Sequence, residues 1–415
     1  MPDIFDALPG VDLQTMKNDS HGGAIPFHRA SVGEEEVRAV TEVIRSGWLT
    51  MGSETARFEN DFSDYVGARH SVAVCSGTAA LHLALVAAGV RAGDEVIAPT
   101  TTFTATAEAI GYTGARPVLA DIDPLTMNLD PEDFSRRITA KTRAVIPVHL
   151  GGQPCEMDAI REIACRHNLH VIEDAAHALP SIYKARHVGA ISEFTCFSFY
   201  ATKTLTTGEG GMVTTRNGIA AERMRVMRLH GIGRDAWKRH QSGESADYDV
   251  KEAGFKYNLS DLLAAIGTAQ LAKSDAMCEA RRKIAARYSH AFEPDAALEI
   301  PLEAPDTRSS WHLYILRLRL EQLAIDRNHF MQQLREKGIG CSVHFKPLHL
   351  HSYYHRQFGY KPGDFPRAEE QYHRCISLPI YPDLTHEQAD RVIAAVLEIA
   401  HACRRKHAKA AHASA

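Results

Sequence analysis

The fold is decided in residues 71–88, which read SVAVCSGTAALHLALVAA. Ser71–Cys75 is a short apolar run typical of a buried strand, and Thr78–Ala88 has the length and composition of a helix. The small residues between them, Ser76 and Gly77, predict a tight strand-to-helix turn. A buried strand followed directly by a helix is the unit of a mostly parallel sheet with helices on both faces.

The same alternation of strands and helices continues towards the C terminus. Strands are predicted at Glu95–Ala98, Pro117–Ala120, Ala144–Val148, His170–Glu173, Thr195–Phe199 and Met212–Thr215. Helices are predicted at Thr104–Tyr112 and Asp158–His167. The sequence therefore predicts an α/β protein built on a mostly parallel sheet.

The pattern changes near residue 280. A basic helical run is followed by strands that alternate apolar and polar residues, as in His312–Leu320. A polar stretch rich in Gly and Ser, Asp235–Lys251, predicts an exposed loop. We expect an N-terminal arm (1–24), a large domain (25–279), a smaller C-terminal α/β domain (280–403) and a tail (404–415).

Composition narrows the class of protein. The 415 residues are 45% hydrophobic, which is enough for a large buried core. The net charge of −4 gives no field that favours nucleic acid or a membrane. The eight cysteines include no C-x-x-C pair, and no secretory signal or bilayer-spanning apolar run is evident. We expect a soluble cytoplasmic protein without disulfides.

The turn at Ser76-Gly77-Thr78 has the features of an anion cradle. Glycine lets the backbone approach a ligand, and the free N–H groups at a helix start attract negative charge. Ser76 and Thr78 add hydroxyl donors. An ordinary helix cap explains the same residues, since Ser and Thr prefer that position in any case.

Two further segments place charged groups after predicted strands. Asp174 follows an apolar strand at the edge of the sheet where α/β proteins bind ligands. Lys203 follows the strand that ends at Ser198-Phe199, and a lysine in a partly dry pocket has a lowered pKa suited to Schiff-base chemistry. A helix cap or surface turn is the alternative for Asp174, although two acids directly after an apolar strand favour a functional role, while Lys203 taken alone is better explained as a solvated loop lysine.

The combination of these segments indicates a pyridoxal-phosphate (PLP) site. Such a site needs a phosphate cradle, a lysine for the Schiff base, a carboxylate at the ring nitrogen and a surface stacked on the ring. The first three occur in order at the ends of successive strands. Phe103 is the candidate for stacking, although a core aromatic is an open alternative for it.

These segments resemble the DegT/DnrJ/EryC1/StrS family of PLP-dependent sugar-nucleotide aminotransferases, which have fold type I. The resemblance runs from about Ile25 to about Ala400. It rests on Ser-Gly-Thr-Ala-Ala-Leu at 76–81, Ile-Glu-Asp-Ala-Ala-His-Ala at 172–178, Ser-Phe-Tyr-Ala-Thr-Lys at 198–203, Gly-Glu-Gly-Gly at 208–211 and Phe-Lys-Tyr-Asn-Leu-Ser-Asp at 255–261.

The resemblance implies roles around the cofactor ring. Lys203 would form the Schiff base and later move a proton, and Asp174 would pair with the ring nitrogen. Phe103 would lie over the ring, and His177 would lie against the cofactor near its oxygen substituent.

The resemblance also implies how the phosphate is held. Gly77, Thr78 and Ser198 would bind it from one chain. Asn258 matches an asparagine that, in relatives, reaches the phosphate of the neighbouring subunit's cofactor. The active form would then be a homodimer with composite sites.

The acceptor sugar is suggested by the loop Ser46–Gly52. It resembles the loop of members that act at C4 of UDP-linked 4-keto sugars, and the likeness is greatest to those that make UDP-4-amino-4-deoxy-L-arabinose. In these relatives L-glutamate is the amino donor. Trp48, Arg234 and His344 are candidate substrate residues, although a role as a packing anchor explains Trp48 equally well. We expect no metal, because a cleft loop explains His344 and its neighbouring histidines better than a metal site does.

Three other functions compete with this interpretation. PLP-dependent sugar dehydratases of the same family carry His where this chain has Lys203. A nucleotide-sugar oxidoreductase would need a dinucleotide motif, and Gly231-Ile232-Gly233 lacks the third glycine and follows a helix-like stretch. A PLP-binding regulator would normally carry a DNA-binding module, and none is evident.

Overall fold

The structure is a computed structural model that describes residues 23–233 and 248–405. The strands, in chain order, are β1 (His70–Val74), β2 (Glu95–Pro99), β3 (Arg116–Ala120), β4 (Thr142–Val145), β5 (His170–Asp174), β6 (Ile182–Tyr183), β7 (Arg186–His187), β8 (Phe194–Ser198), β9 (Gly211–Thr215), β10 (Leu298–Glu299), β11 (Thr307–Arg308), β12 (Tyr314–Leu318) and β13 (Cys375–Leu378).

Thirteen α-helices accompany these strands in the described residues. They are α1 (Glu34–Ser46), α2 (Ser53–Val66), α3 (Gly77–Ala87), α4 (Thr104–Tyr112), α5 (Pro131–Arg136), α6 (Met157–Arg166), α7 (Gly218–Met227), α8 (Asp261–Ala272), α9 (Ser274–Phe292), α10 (Arg327–Glu336), α11 (Ser352–Phe358), α12 (Pro366–Arg374) and α13 (His386–Ala402). The predicted arm up to residue 22, most of the predicted loop together with Arg234, and the tail from residue 406 lie outside the described residues.

The main sheet has seven strands in the order β1-β9-β8-β5-β4-β2-β3. Strands β3, β2, β4, β5 and β8 pair in parallel, while β9 is antiparallel to both β8 and β1. The predicted mostly parallel sheet is confirmed, and the predicted boundaries of its strands shift by a few residues at most. Its strands are buried on both faces, which explains their near-continuous apolar sequences.

Alternate residues of each strand enter two different cores. On β1, Val72 and Val74 pack with α3, α4 and α7, while Ala73 packs with α2, α6 and α8. This follows from the period of two along a strand. On the α2 side, Phe62 lies within 6.0 Å, ring centre to ring centre, of Phe58, Phe197 and Phe199. The sheet is therefore the middle of three layers.

A second core surrounds the antiparallel sheet β10-β12-β13. Helices α9, α10 and α13 cover it with buried residues such as Tyr288, Phe330 and Val396. Ile25 also packs there, because its backbone is hydrogen-bonded to Gly338 and Gly340. Helix α9 runs through residue 280, so the domain boundary at that position stays a prediction.

Within residues 23–233 and 248–405, no helix combines the length and the apolarity that crossing a bilayer requires.

We expect Phe62→Ala to destabilise the main core by about 3–5 kcal/mol, because it leaves a cavity among aromatic rings. The midpoint of urea unfolding, followed by tryptophan fluorescence, should fall. Ile219→Ala on α7 is the control, since Ile219 is 85% exposed and its loss should change stability by less than about 0.5 kcal/mol. Equal effects of the two substitutions would contradict this packing.

Candidate active site

A cavity of about 570 Å³ lies at the carboxyl ends of β1, β5 and β8. This edge of an open α/β sheet is where ligands bind. The predicted site residues that line the cavity are Gly77, Thr78, Phe103, Asp174, His177, Ser198, Lys203 and His344. Residues from five separate segments of the chain therefore converge on one space.

The start of α3 forms one end of the cavity. The Ser76 hydroxyl caps the helix by accepting from the Ala79 N–H at 3.1 Å. A Cβ atom at Gly77 would lie only 2.8 Å from the Ser198 Cβ, so a side chain has no room there. The first N–H groups of the helix have no partner within it, and its dipole favours an anion. These features suit a phosphate group.

Asp174 ends the central strand β5 and is only 6% exposed. Its carboxylate accepts hydrogen bonds from the Thr106 hydroxyl at 2.8 Å and the Ala176 N–H at 3.1 Å. Burial raises the pKa of Asp174, while these hydrogen bonds and the charge of Lys203 oppose the rise. A buried carboxylate is costly unless it is paired, so this group suits a cationic ring nitrogen.

Glu173, the other acid at the end of β5, points to the opposite face. It accepts from the Ser192 N–H, the Thr195 hydroxyl and His149 Nε2, at 2.8–3.1 Å. His149 Nδ1 accepts from the Cys155 N–H at 3.0 Å, so Nε2 carries the proton given to Glu173. Glu173 therefore belongs to the scaffold and not to the cavity.

Lys203 lies in the loop after β8 and is half-buried. Burial lowers its pKa to about 8, and the nearby Asp174 carboxylate limits that fall. His28, in the segment before α1, bonds through Nε2 to the Ala201 carbonyl at 3.1 Å and so braces this loop. At neutral pH a larger fraction of the Lys203 amine is unprotonated than on an exposed lysine.

Imidazole and aromatic rings form one wall of the cavity. The His177 ring lies 4.4 Å from His312 and 5.9 Å from Phe345. His177 Nδ1 accepts from the Gly151 N–H at 3.2 Å. Burial lowers the pKa of His177 and His312 well below the ordinary value and that of His344 to about 3. The wall is therefore uncharged at neutral pH.

The sequence analysis missed His312 and Phe345, which both line the cavity. They lie far along the chain, next to β12 and in the loop after α10. Only the packing of the second core against the main sheet brings them to His177. No local motif marks either of them, although Phe345 directly follows the predicted His344.

Two predicted residues lie outside the cavity. Trp48 donates through Nε1 to the Met51 carbonyl at 3.3 Å and lines a separate pocket beside α1 and α2. The Asn258 side chain accepts from the Lys256 ammonium, and its backbone pairs with the end of β1. Neither residue contributes to the cavity of its own chain.

The histidines after His344 are held by protein groups. His349 is buried between the Thr100 hydroxyl at 2.8 Å and the Glu369 carboxylate at 2.9 Å. Across residues 23–233 and 248–405, no group of three or more His, Cys, Asp or Glu side chains is arranged to hold a metal ion.

Residues 30–397 match the DegT/DnrJ/EryC1/StrS aminotransferase family. The chain belongs to this family. It is 47% identical over 376 residues to the spore coat polysaccharide biosynthesis protein SpsC of Bacillus subtilis, a match that covers 90% of this chain and 97% of SpsC.

Solved structures agree with this assignment. Spr1654 of Streptococcus pneumoniae in its PLP form is 31% identical, with a TM-score of 0.85 over 91% of this chain and 99% of that one. The sugar aminotransferase CalS13 of Micromonospora echinospora is 29% identical, with a TM-score of 0.82 over 90% and 99% of the two chains. This family member is a PLP-dependent sugar aminotransferase of fold type I.

The residues of this aminotransferase's cavity fit PLP. The crowded start of α3 at Gly77 would take the phosphate, Asp174 would face the ring nitrogen, and Lys203 would supply the amine that PLP enzymes need. The cavity holds the anion site, the carboxylate and the lysine that the cofactor requires.

We expect Gly77→Ala to weaken PLP binding by about tenfold, because the added methyl forces α3 away from Ser198 at a cost of about 1–3 kcal/mol. Gly111→Ala on α4 is the matched control, since its added Cβ would meet no atom within 4 Å. Equilibrium dialysis of PLP against both variants measures the difference. Equal PLP binding by the Gly77→Ala and Gly111→Ala variants would show that PLP binding does not need the close contact between Gly77 and Ser198.

The lowered pKa of Lys203 predicts a pH dependence for the cofactor-free enzyme. Trapping of Lys203 by pyridoxal and borohydride should increase with pH around a midpoint near 8, well below that of an exposed lysine. Asp174→Asn removes the charge that raises this pKa, so the midpoint should move lower. Mass spectrometry locates the modified lysine, and a midpoint near that of free lysine would contradict the burial argument.

Proposed function

We propose that the enzyme transfers the amino group of L-glutamate to a nucleotide-linked keto sugar, with a UDP-4-keto sugar as the favoured acceptor. The products are an amino sugar nucleotide and 2-oxoglutarate. The observation that carries the proposal is that Lys203, Asp174 and the start of α3 face one cavity. We also propose that the enzyme works in the cytoplasm.

In this proposal the cavity holds the cofactor from three sides. Gly77, Thr78 and Ser198 bind the phosphate at the start of α3. Phe103 lies over the ring, which fits a side chain that is 59% exposed although it lines the cavity. His177, uncharged and held by the Gly151 N–H, lies against the cofactor as a neutral imidazole.

Lys203 and Asp174 have different roles towards protons in this proposal. When bound, PLP supplies an electron sink for the carbon that bears the amino group. The hydrogen bonds of Asp174 favour its ionised form against the effect of burial, and the carboxylate would keep a proton on the ring nitrogen. Lys203, whose pKa burial lowers to about 8, would move a proton between carbon atoms of the bound reactants.

We further propose that the active form is a homodimer. Helix α1 exposes Val37 and Ile44 by 57% and 58%, and the next loop exposes Leu49 by 47%. An apolar surface of this kind fits a second copy of the chain. The partner would bring its Asn258 to the phosphate and its Trp48 to the sugar nucleotide, which explains why neither residue reaches the cavity of its own chain.

The acceptor would contact the cavity wall and the Ser46–Gly52 loop. His344 lines the wall and bonds through Nδ1 to the Ser377 hydroxyl at 2.8 Å, which leaves Nε2 for a sugar hydroxyl. Arg234 is proposed to meet an anionic group of the substrate. The likeness of the Ser46–Gly52 loop to members acting on UDP-4-keto sugars supports the choice of acceptor.

The alternative functions are less well supported. A dehydratase of this family would carry His in place of Lys203. The Gly231-Ile232-Gly233 segment follows helix α7 instead of a strand, so it is not placed to bind a dinucleotide.

A coupled assay in the reverse direction tests the proposed function. A panel of UDP- and dTDP-amino sugars is supplied with 2-oxoglutarate, and the glutamate formed is measured. We expect the highest rate with a UDP-4-amino sugar. Lys203→Ala should abolish turnover, while the exposed Lys346→Ala should not change it. A PLP-loaded enzyme that forms no glutamate with any member of the panel would refute the proposal.

A further inference from the structure

Two buried threonines extend from the carboxylate of Asp174, and the second of them, Thr102, also lines the cavity. The Thr106 hydroxyl is 2.8 Å from Asp174 Oδ2, and the Thr102 hydroxyl is 2.7 Å from that of Thr106. Thr102 and Thr106 are 2% and 0% exposed. The line of contacts Thr102, Thr106, Asp174 therefore runs from the loop before α4 to the end of β5 without solvent.

The protons in this line have one consistent direction. An ionised carboxylate only accepts hydrogen bonds, so Thr106 gives its single hydroxyl proton to Asp174. The contact between the two threonines then requires Thr102 to donate to Thr106. A hydroxyl that accepts one hydrogen bond becomes a better donor in the next, since linked hydrogen bonds polarise each other.

The backbone of Asp174 is held by other contacts. Its N–H donates to the Pro147 carbonyl at 2.9 Å, and its carbonyl accepts from the His149 N–H at 3.1 Å. These backbone hydrogen bonds at the end of β5 fix the position of the Asp174 Cα atom. The rotation of the carboxylate depends on its own two partners, the Thr106 hydroxyl and the Ala176 N–H.

We propose that Thr106 is a positioning residue for the PLP reaction, which sets the orientation of the Asp174 carboxylate, and that Thr102 orients Thr106. The inference rests on the proposed role of Asp174 at the ring nitrogen. Thr106 touches neither the cavity nor the reacting atoms, and it acts only through Asp174.

The same hydrogen bond affects the charge of Asp174. Burial raises the pKa of this carboxyl group, and the Thr106 hydroxyl lowers it. The other titratable groups that interact with the carboxylate are Lys203, His149 and the Cys196 thiol. Loss of the Thr106 hydroxyl should raise the pKa of Asp174, so the ionised form is lost at a higher pH than in the unmodified enzyme.

Thr106→Val removes the hydroxyl and keeps the shape of the side chain. Thr101→Val is the matched control, because the Thr101 hydroxyl is buried in the same loop and has no hydrogen-bond partner among the described residues. The measurements are the dissociation constant of PLP by fluorescence across a range of pH, and the absorbance of the bound cofactor as a function of pH. Neither depends on turnover.

We expect Thr106→Val to weaken PLP binding about tenfold, the typical loss for a hydrogen bond to a charged group. The weakening should increase as the pH falls, because Asp174 becomes protonated at a higher pH. Thr106→Ser keeps the donor and should restore binding to within about twofold. Because Thr102 also lines the cavity, Thr102→Val is compared by its pH dependence, which should change less than that of Thr106→Val, since Thr102 reaches Asp174 only through Thr106.

Several outcomes would overturn the inference. One is PLP binding by Thr106→Val that equals that of Thr101→Val at every pH. If Thr106→Val fails to fold, Thr106→Ala decides, because it removes the same hydroxyl, and binding equal to the Thr101→Val control at every pH then overturns the inference. Asp174→Asn distinguishes a failure of the proposed role of Asp174 from a failure of the role of Thr106. Unchanged PLP binding in Asp174→Asn refutes the role of Asp174. Weaker PLP binding in Asp174→Asn with unchanged binding in Thr106→Val refutes only the role of Thr106.

Discussion

The structure depends on two consecutive buried carboxylates at the end of the central strand. Glu173 and Asp174 point to opposite faces of β5, as successive strand residues must. Glu173 is satisfied entirely by protein groups and joins β5 to β8 and to the segment around His149. The Asp174 carboxylate accepts two hydrogen bonds from the protein, and it can accept others from a group bound in the cavity. Two adjacent residues therefore serve different purposes, because Glu173 holds the strands together and Asp174 faces the cavity.

Most of the fold was predictable because its information is local. Buried strands such as β1 and β5 are apolar runs, and turns such as that at Gly77 contain small residues. The convergence of the predicted site residues on one cavity was also predictable, since the carboxyl ends of parallel strands meet at one edge. Lys203, Asp174 and Gly77 each follow such a strand.

The remaining part of the site was not predictable, for a physical reason. His312 and Phe345 reach the cavity only through the packing of the antiparallel sheet and its helices against the main sheet. Thr106 lies in the first turn of α4, where its sequence looks like any helix start. Its hydrogen bond to Asp174 joins residues that are 68 positions apart, and no short motif encodes such a distance.

The cavity has two sides with different origins in the chain. The groups suited to the cofactor, such as Gly77, Asp174 and Lys203, follow strands of the main sheet. The wall residues His312, His344 and Phe345 come from the C-terminal third of the chain. Because His312, His344 and Phe345 share no segment with Gly77, Asp174 and Lys203, substitutions among the former leave the strand ends that carry the latter unchanged in sequence.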